Sequence, residues 1–128
     1  DLTVIDLIAT NKEITLVVDE SHSLGVLGNN GCGIFSTIHH KNIKRKIMVA
    51  SLGKAMGITG GVIASDESFI TQIMNNSSFI SSAGMSPAFA EAMGEAEALY
   101  KSQHIKLKNN LKYIETLLVK SEFFVFNP

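Results

Sequence analysis

The 128-residue chain is predicted to fold as an α/β unit. Three short apolar runs carry that prediction: Ile14 to Val18, Lys46 to Ser51 and Val62 to Ser65. The first two read as strands buried on both faces, the third as a shorter strand, and loops and amphipathic helices separate and follow them. A hydrophobic content of 45% with 18% charged residues suits one globular unit with a real core. The apolar pattern does not fix strand direction.

Taken in order, Asp1 to Asn11 places Val4, Ile5, Leu7 and Ile8 on one helical face, with Asp1 as its N-cap. The first strand ends in Asp19-Glu20, and a polar, glycine-bearing stretch runs from Ser21 to Gly33. The basic residues Lys41, Lys44, Arg45 and Lys46 form a run short enough to read as a solvated loop. After the second strand, Gly53, Gly57, Gly60 and Gly61 punctuate a turn region that leads into the third. Asp66 is placed to cap a helix reaching about Met74, with Glu67 in its first turn. Asn75 to Ser86 is small, polar and glycine-containing, hence a loop.

Pro87 suits the first position of a long helix capped by Ser86. Ala88, Ala92, Ala96, Leu99 and Tyr100 give that helix an apolar stripe, and Leu107, Leu111, Ile114 and Leu118 predict that it continues or restarts. Phe123 to Phe126 reads as a final strand. No repeat or low-complexity tract interrupts the chain. It begins without Met and stops at Asn127-Pro128 straight after an apolar run, as expected of a piece of something longer.

Composition excludes several classes of function. A net charge of -1 offers no electrostatic basis for binding nucleic acid or an acidic membrane surface. No apolar stretch approaches the roughly 20 residues that span a bilayer, and Asp1-Leu2-Thr3 lacks the features of a signal peptide. Cys32 stands alone, so no internal disulfide forms and a reducing, cytoplasmic setting is expected. Cys32, His39 and His40 lack metal-ligand spacing and are expected to be loop residues. Met48, Met56, Met74, Met85 and Met93 are expected to be packing.

Open α/β sheets hold ligands beyond the carboxyl ends of their strands. Two places qualify: Asp19 with His22 three residues on, and Ser51-Leu52-Gly53-Lys54. Singly, Asp19 is most simply a turn cap, His22 a surface or structural histidine, and Lys54 a solvated amine. Their joint placement past two strands makes them candidates. Leu16-Val17-Val18-Asp19-Glu20 has the look of the strand and acidic pair that hold Mg²⁺ in P-loop ATPases. That assignment fails, because Gly53-Lys54 comes later in the chain, Ala55 replaces the metal-binding Ser or Thr, and no glycine lies five residues before Gly53. Pyridoxal 5'-phosphate chemistry needs a lysine for the Schiff base, a carboxylate for the pyridinium nitrogen, and hydroxyls with backbone amides for the phosphate. Lys54, Asp19 and Ser51 match those needs.

At these residues the sequence resembles the α-oxoamine synthases, a family of fold-type I pyridoxal-phosphate enzymes. The family stretch close to VDEAHSTGVLGxxGxG is matched by VDESHSLGVLGNNGCG, Val18 to Gly33. Its lysine motif, close to TLGKALGxxGG, is matched by SLGKAMGITGG, Ser51 to Gly61. A third segment resembling FSTxLPPxxAAA is matched loosely by SSAGMSPAFAEA, Ser81 to Ala92, with Ala83 in place of Thr and Ser86 in place of the first proline.

The resemblance implies that residues 1–121 are part of a large cofactor-binding domain, a mainly parallel sheet with flanking helices, and that 122–128 open a C-terminal domain. It implies that Asp19 pairs with the ring nitrogen and His22 with the ring's phenolic oxygen. Ser51 then holds the phosphate, and Lys54 forms the Schiff base and shuttles the substrate α-proton. Ser82 would reach the phosphate of a neighbouring subunit's cofactor in a homodimer. The implied reaction condenses an amino acid with an acyl-CoA and releases CO2. The ring that stacks on the cofactor, a glycine-rich phosphate contact and an arginine for the substrate carboxylate come from other parts of such enzymes, so the isolated piece is expected to be inactive. Another fold-type I enzyme such as an aminotransferase, or a non-catalytic scaffold, remains the alternative; intact Asp19, His22 and Lys54 argue against decay.

Overall fold

A computed structural model describes residues 13–39 and 41–121. The expected Asp1 helix, His40, the Phe123–Phe126 strand and the segment 122–128 lie outside the described residues. Within them, strand β1 (Ile14–Asp19) pairs in parallel with β2 (Ile43–Ser51), and β2 pairs antiparallel with β3 (Gly61–Ala64), in the order β1-β2-β3. Parallel neighbours need a long crossover. Here it is the segment 20–42, which carries two 3₁₀ turns, Asn29–Gly31 and Phe35–Thr37. The sheet is thus mixed. The expectation of a mainly parallel sheet holds for one of its two strand pairings.

The expectation that β1 and β2 are buried on both faces needs correction. The central β2 contributes the buried Ile47 and Ala50, which with Ile38 and Leu52 form the apolar core. The edge strand β1 instead alternates, with Thr15, Val17 and Asp19 on its open side and Val17 60% exposed. Among the described residues little covers that side of β1, and an apolar strand is buried on both faces only where a further layer packs on each.

The basic run also departs from expectation. Lys44, Arg45 and Lys46 belong to β2, which begins at Ile43 rather than Lys46. Lys44 Nζ reaches Glu13 at 2.8 Å. Arg45 Nε donates to Asp66 at 2.6 Å while its guanidinium lies 5.3 Å from the Phe69 ring centre. The Lys46 ammonium donates to the carbonyls of Ile38 (3.0 Å) and Phe35 (3.2 Å), 4.7 Å from the Phe35 ring centre. Long aliphatic stems let these side chains lie along a sheet while their charges find partners at its margin.

The helices follow β3. Helix α1 (Glu67–Met74) is capped by Asp66, whose carboxylate accepts from the Phe69 N–H, as its sequence predicts. The expected loop after it contains a short helix, α2 (Ser77–Ile80), started by Asn76 accepting from the Ser78 N–H. Helix α3 (Pro87–Glu95) has Pro87 in its first turn, but the Ser86 hydroxyl makes no capping bond. The chain turns at Ala96 and restarts as α4 (Glu97–Val119). The Tyr100 hydroxyl ties α4 to the loop after β2 by donating to the Met56 carbonyl at 3.0 Å. Four of the methionines are partly covered, in keeping with packing, whereas Met74 is 59% exposed.

Asp66 joins two elements, capping α1 and pairing with Arg45 of β2. Bonds from the Ser68 hydroxyl, the Phe69 N–H and Arg45 hold its carboxyl at about 2, below the ordinary 3.8. A depressed carboxyl stabilises the fold above the unfolded value, and that contribution is lost as pH falls from 3.8 toward about 2. Asp66→Asn is expected to be less stable than the parent at pH 6, with the gap closing through this acid window. Thermal unfolding midpoints measured from pH 6 to pH 2 check this.

Candidate active site

The site is built where β1 and β2 end. Because they run in parallel, their carboxyl ends, Asp19 and Ser51, emerge on one edge of the sheet, and Gly61 of β3 stands opposite Ser51. Beyond Asp19 the chain folds into a compact loop. Its backbone is closed by Gly25 N–H to the Gly31 carbonyl at 2.7 Å and Gly33 N–H to the Leu27 carbonyl at 2.9 Å. Glu20 sits fully buried beneath it, and its carboxyl accepts from the Ser23 hydroxyl and the Phe35 N–H. A buried carboxyl is tolerated only with such partners. Here it gathers both ends of the loop.

Gly33 makes that arrangement possible. Its φ is +76°, and a Cβ there would lie 2.6 Å from a Glu20 carboxyl oxygen.

Beyond Ser51, the loop 52–60 is anchored by the buried Leu52, whose N–H donates to the Gly60 carbonyl and whose carbonyl accepts from the Ile58 N–H, both at 3.0 Å. A tighter turn inside it, Gly57 N–H to the Lys54 carbonyl at 3.0 Å, presents Lys54 at the surface.

The Lys54 amine lies 2.9 Å from Nε2 of His22, across a sequence separation of 32 residues. Asp19 is close enough that both Lys54 and His22 lower its carboxyl electrostatically. The larger causes are local: first the Ser21 hydroxyl, then the Ser21 N–H at 2.8 Å. The turn-cap reading of Asp19 is therefore correct and coexists with its place beside Lys54 and His22.

A cavity of about 990 Å³ opens beside Asp19, Ser21 and Ser51 and is walled opposite by Phe79, Ser82 and Met85. That size suits a bound cofactor. Lys54 and His22 pair with each other on the exposed loops and do not line it. Ser82 shares the cavity with Asp19 and Ser51 in the same chain, its hydroxyl donating to the Phe79 carbonyl at 2.7 Å. A carboxylate, an imidazole, hydroxyls and an amine thus gather at one sheet edge, a donor set whose chemistry fits a phosphorylated pyridine aldehyde.

Sequence reasoning missed Glu20 and Ser21. Nothing in the pattern separates a buried Glu from the acidic pair at a strand end, and Ser21 reads as an ordinary turn residue. Cys32 and His39 are exposed loop residues, as expected, and no group that could hold a metal ion occurs among the described residues.

Comparison with known proteins shows the family. Residues 2–128 match the family model described as Aminotransferase class I and II, and the chain belongs to that family. It is similar to the 8-amino-7-oxononanoate synthase of Lysinibacillus sphaericus, with 31% identity over 90% of this chain and 30% of the relative. The enzyme of the same name from Petrotoga mobilis is 35% identical over 85% of this chain and 28% of its own length. That from Vibrio parahaemolyticus is 33% identical over 75% and 24%. The chain therefore spans less than a third of the length of these curated relatives.

Gly33→Ala is expected to lower stability by at least about 2 kcal/mol, since it combines a strained backbone with a collision against the buried carboxyl. Urea unfolding of the parent and variant measures the difference.

Proposed function

We propose that this chain is the cofactor-gripping segment of a pyridoxal-phosphate-dependent acyltransferase of the α-oxoamine synthase type. The reaction condenses an amino acid with an acyl-CoA and releases CO2. Alanine is the amino acid of choice, as in an 8-amino-7-oxononanoate synthase of biotin biosynthesis. The observation that carries this reading is the Lys54–His22 contact of 2.9 Å beside Asp19, formed by residues of two separate family motifs.

Bound at this edge, pyridoxal phosphate supplies an electron sink for negative charge at the amino acid's α-carbon. Asp19, held below the ordinary carboxyl value, stays anionic at neutral pH and keeps a proton on the ring nitrogen. His22 donates a hydrogen bond to the ring's phenolic oxygen, and the Ser51 hydroxyl binds the phosphate. The Lys54 amine would hold the cofactor through its aldehyde group, with loss of water, and would move the α-proton of the substrate. Ser82, which lines the cavity of its own chain with Asp19 and Ser51, contributes a further hydroxyl to the phosphate there, whereas the resemblance implied that it reaches across a homodimer. The full-length enzyme works in the cytoplasm, and the 128-residue segment alone binds cofactor weakly and turns over nothing.

A second reading, an aminotransferase, is favoured by the name of the family model. The histidine three residues after Asp19 and the SLGKAMG run, Ser51 to Gly57, favour the synthase.

The full-length protein mixed with pyridoxal phosphate is expected to show the visible absorption of a lysine-bound cofactor, and Lys54→Ala to lack it. Absence of the band in the parent overturns the assignment. Product analysis with alanine, glycine or serine and an acyl-CoA distinguishes the two readings: a synthase releases CO2 and free CoA, an aminotransferase neither.

A further inference from the structure

The parallel ladder of β1 and β2 is interrupted where the site begins, and one side chain repairs it. The Glu20 N–H donates to the Val49 carbonyl at 2.8 Å, the last backbone rung. In a continuing parallel ladder the next rung would run from the Ser51 N–H to the Glu20 carbonyl. That carbonyl is turned away, accepting from the N–H groups of Leu24 (2.8 Å) and Ser23 (3.1 Å) as the chain leaves the sheet. The Ser51 N–H instead donates to the Ser21 hydroxyl at 2.9 Å. The Ser21 N–H in turn donates to the Asp19 carboxylate at 2.8 Å. One residue therefore holds both strand ends.

We infer that Ser21 is a positioning residue, whose N–H bond to Asp19 and hydroxyl bond to Ser51 fix the ring-nitrogen partner and the phosphate hydroxyl relative to each other. This rests on the proposed cofactor roles of Asp19 and Ser51. The hydroxyl does not come with the motif, since the resembling family stretch has alanine where this chain has Ser21. A serine here replaces a lost backbone acceptor, which an alanine cannot do. The spacing matters because a rigid ring with a phosphate at one end and a nitrogen at the other gains from both anchors only when they are held apart at its own length. The same hydroxyl is also the largest influence lowering the Asp19 carboxyl, ahead of Lys54 and His22, the charged groups that act on it.

The test uses the full-length protein and pyridoxal phosphate, titrated spectroscopically at neutral pH in the parent, Ser21→Ala and Ser21→Thr. Ser21→Ala is expected to weaken cofactor binding about fivefold, the factor one ordinary hydrogen bond controls. Ser21→Thr, which keeps the hydroxyl, is expected to restore affinity. Unchanged affinity in Ser21→Ala overturns the inference, as does a loss that Thr fails to rescue. A parent protein that binds no pyridoxal phosphate overturns instead the reading of the site on which the inference rests.

Discussion

The parallel pairing of β1 with β2 is the constraint on which the site depends. Had the two strands run antiparallel, Asp19 and Ser51 would lie at opposite ends of the sheet, and Lys54 could not reach His22. Parallel neighbours cannot be joined by a tight turn, so the chain needs a long connection. In this protein the connection is itself functional in layout, because it departs from the sheet through His22 and returns along β2 toward Ser51 and Lys54. Topology and chemistry are one arrangement here.

Beneath that edge lies an unusual keystone. Glu20 follows Asp19 directly, yet the two carboxyl groups have opposite surroundings, one exposed at the strand end and the other with no accessible surface. The strand's alternation explains the split, since successive side chains point to opposite faces. Asp19 is left on the open face with the cavity, and Glu20 turns inward to organise the loop that carries His22. Acidic neighbours in sequence thus serve two layers of the structure.

Much of the fold was legible because its signals are local. Asp66 as a cap, Glu67 in a first turn and Pro87 opening a helix all follow from the chemistry of chain ends and backbone donors, whereas the break at Ala96 falls inside a stripe that reads as one helix. The start of β2 was hidden because Lys44, Arg45 and Lys46 look like solvent, while their partners Glu13, Asp66 and Phe35 are distant in sequence. Strand direction was hidden for the same reason, since it is decided by pairing and not by pattern. The joint placement of Asp19, His22, Ser51 and Lys54 was visible as a motif spacing, and the structure brings these residues to one edge. Ser21 was invisible, because its importance lies in a carbonyl that another residue turns away.

The double closure of the loop 52–60 has a kinetic meaning. Leu52 is only 2% exposed and bonded through both its N–H and its carbonyl, so the backbone under Lys54 is a small fixed frame. Whatever displacement the amine needs must then come from rotations about its own aliphatic stem, which take place in picoseconds to nanoseconds. A reactive nitrogen mounted this way is quick to swing and slow to drift: it can leave one partner for another without the chain beneath it having to rearrange.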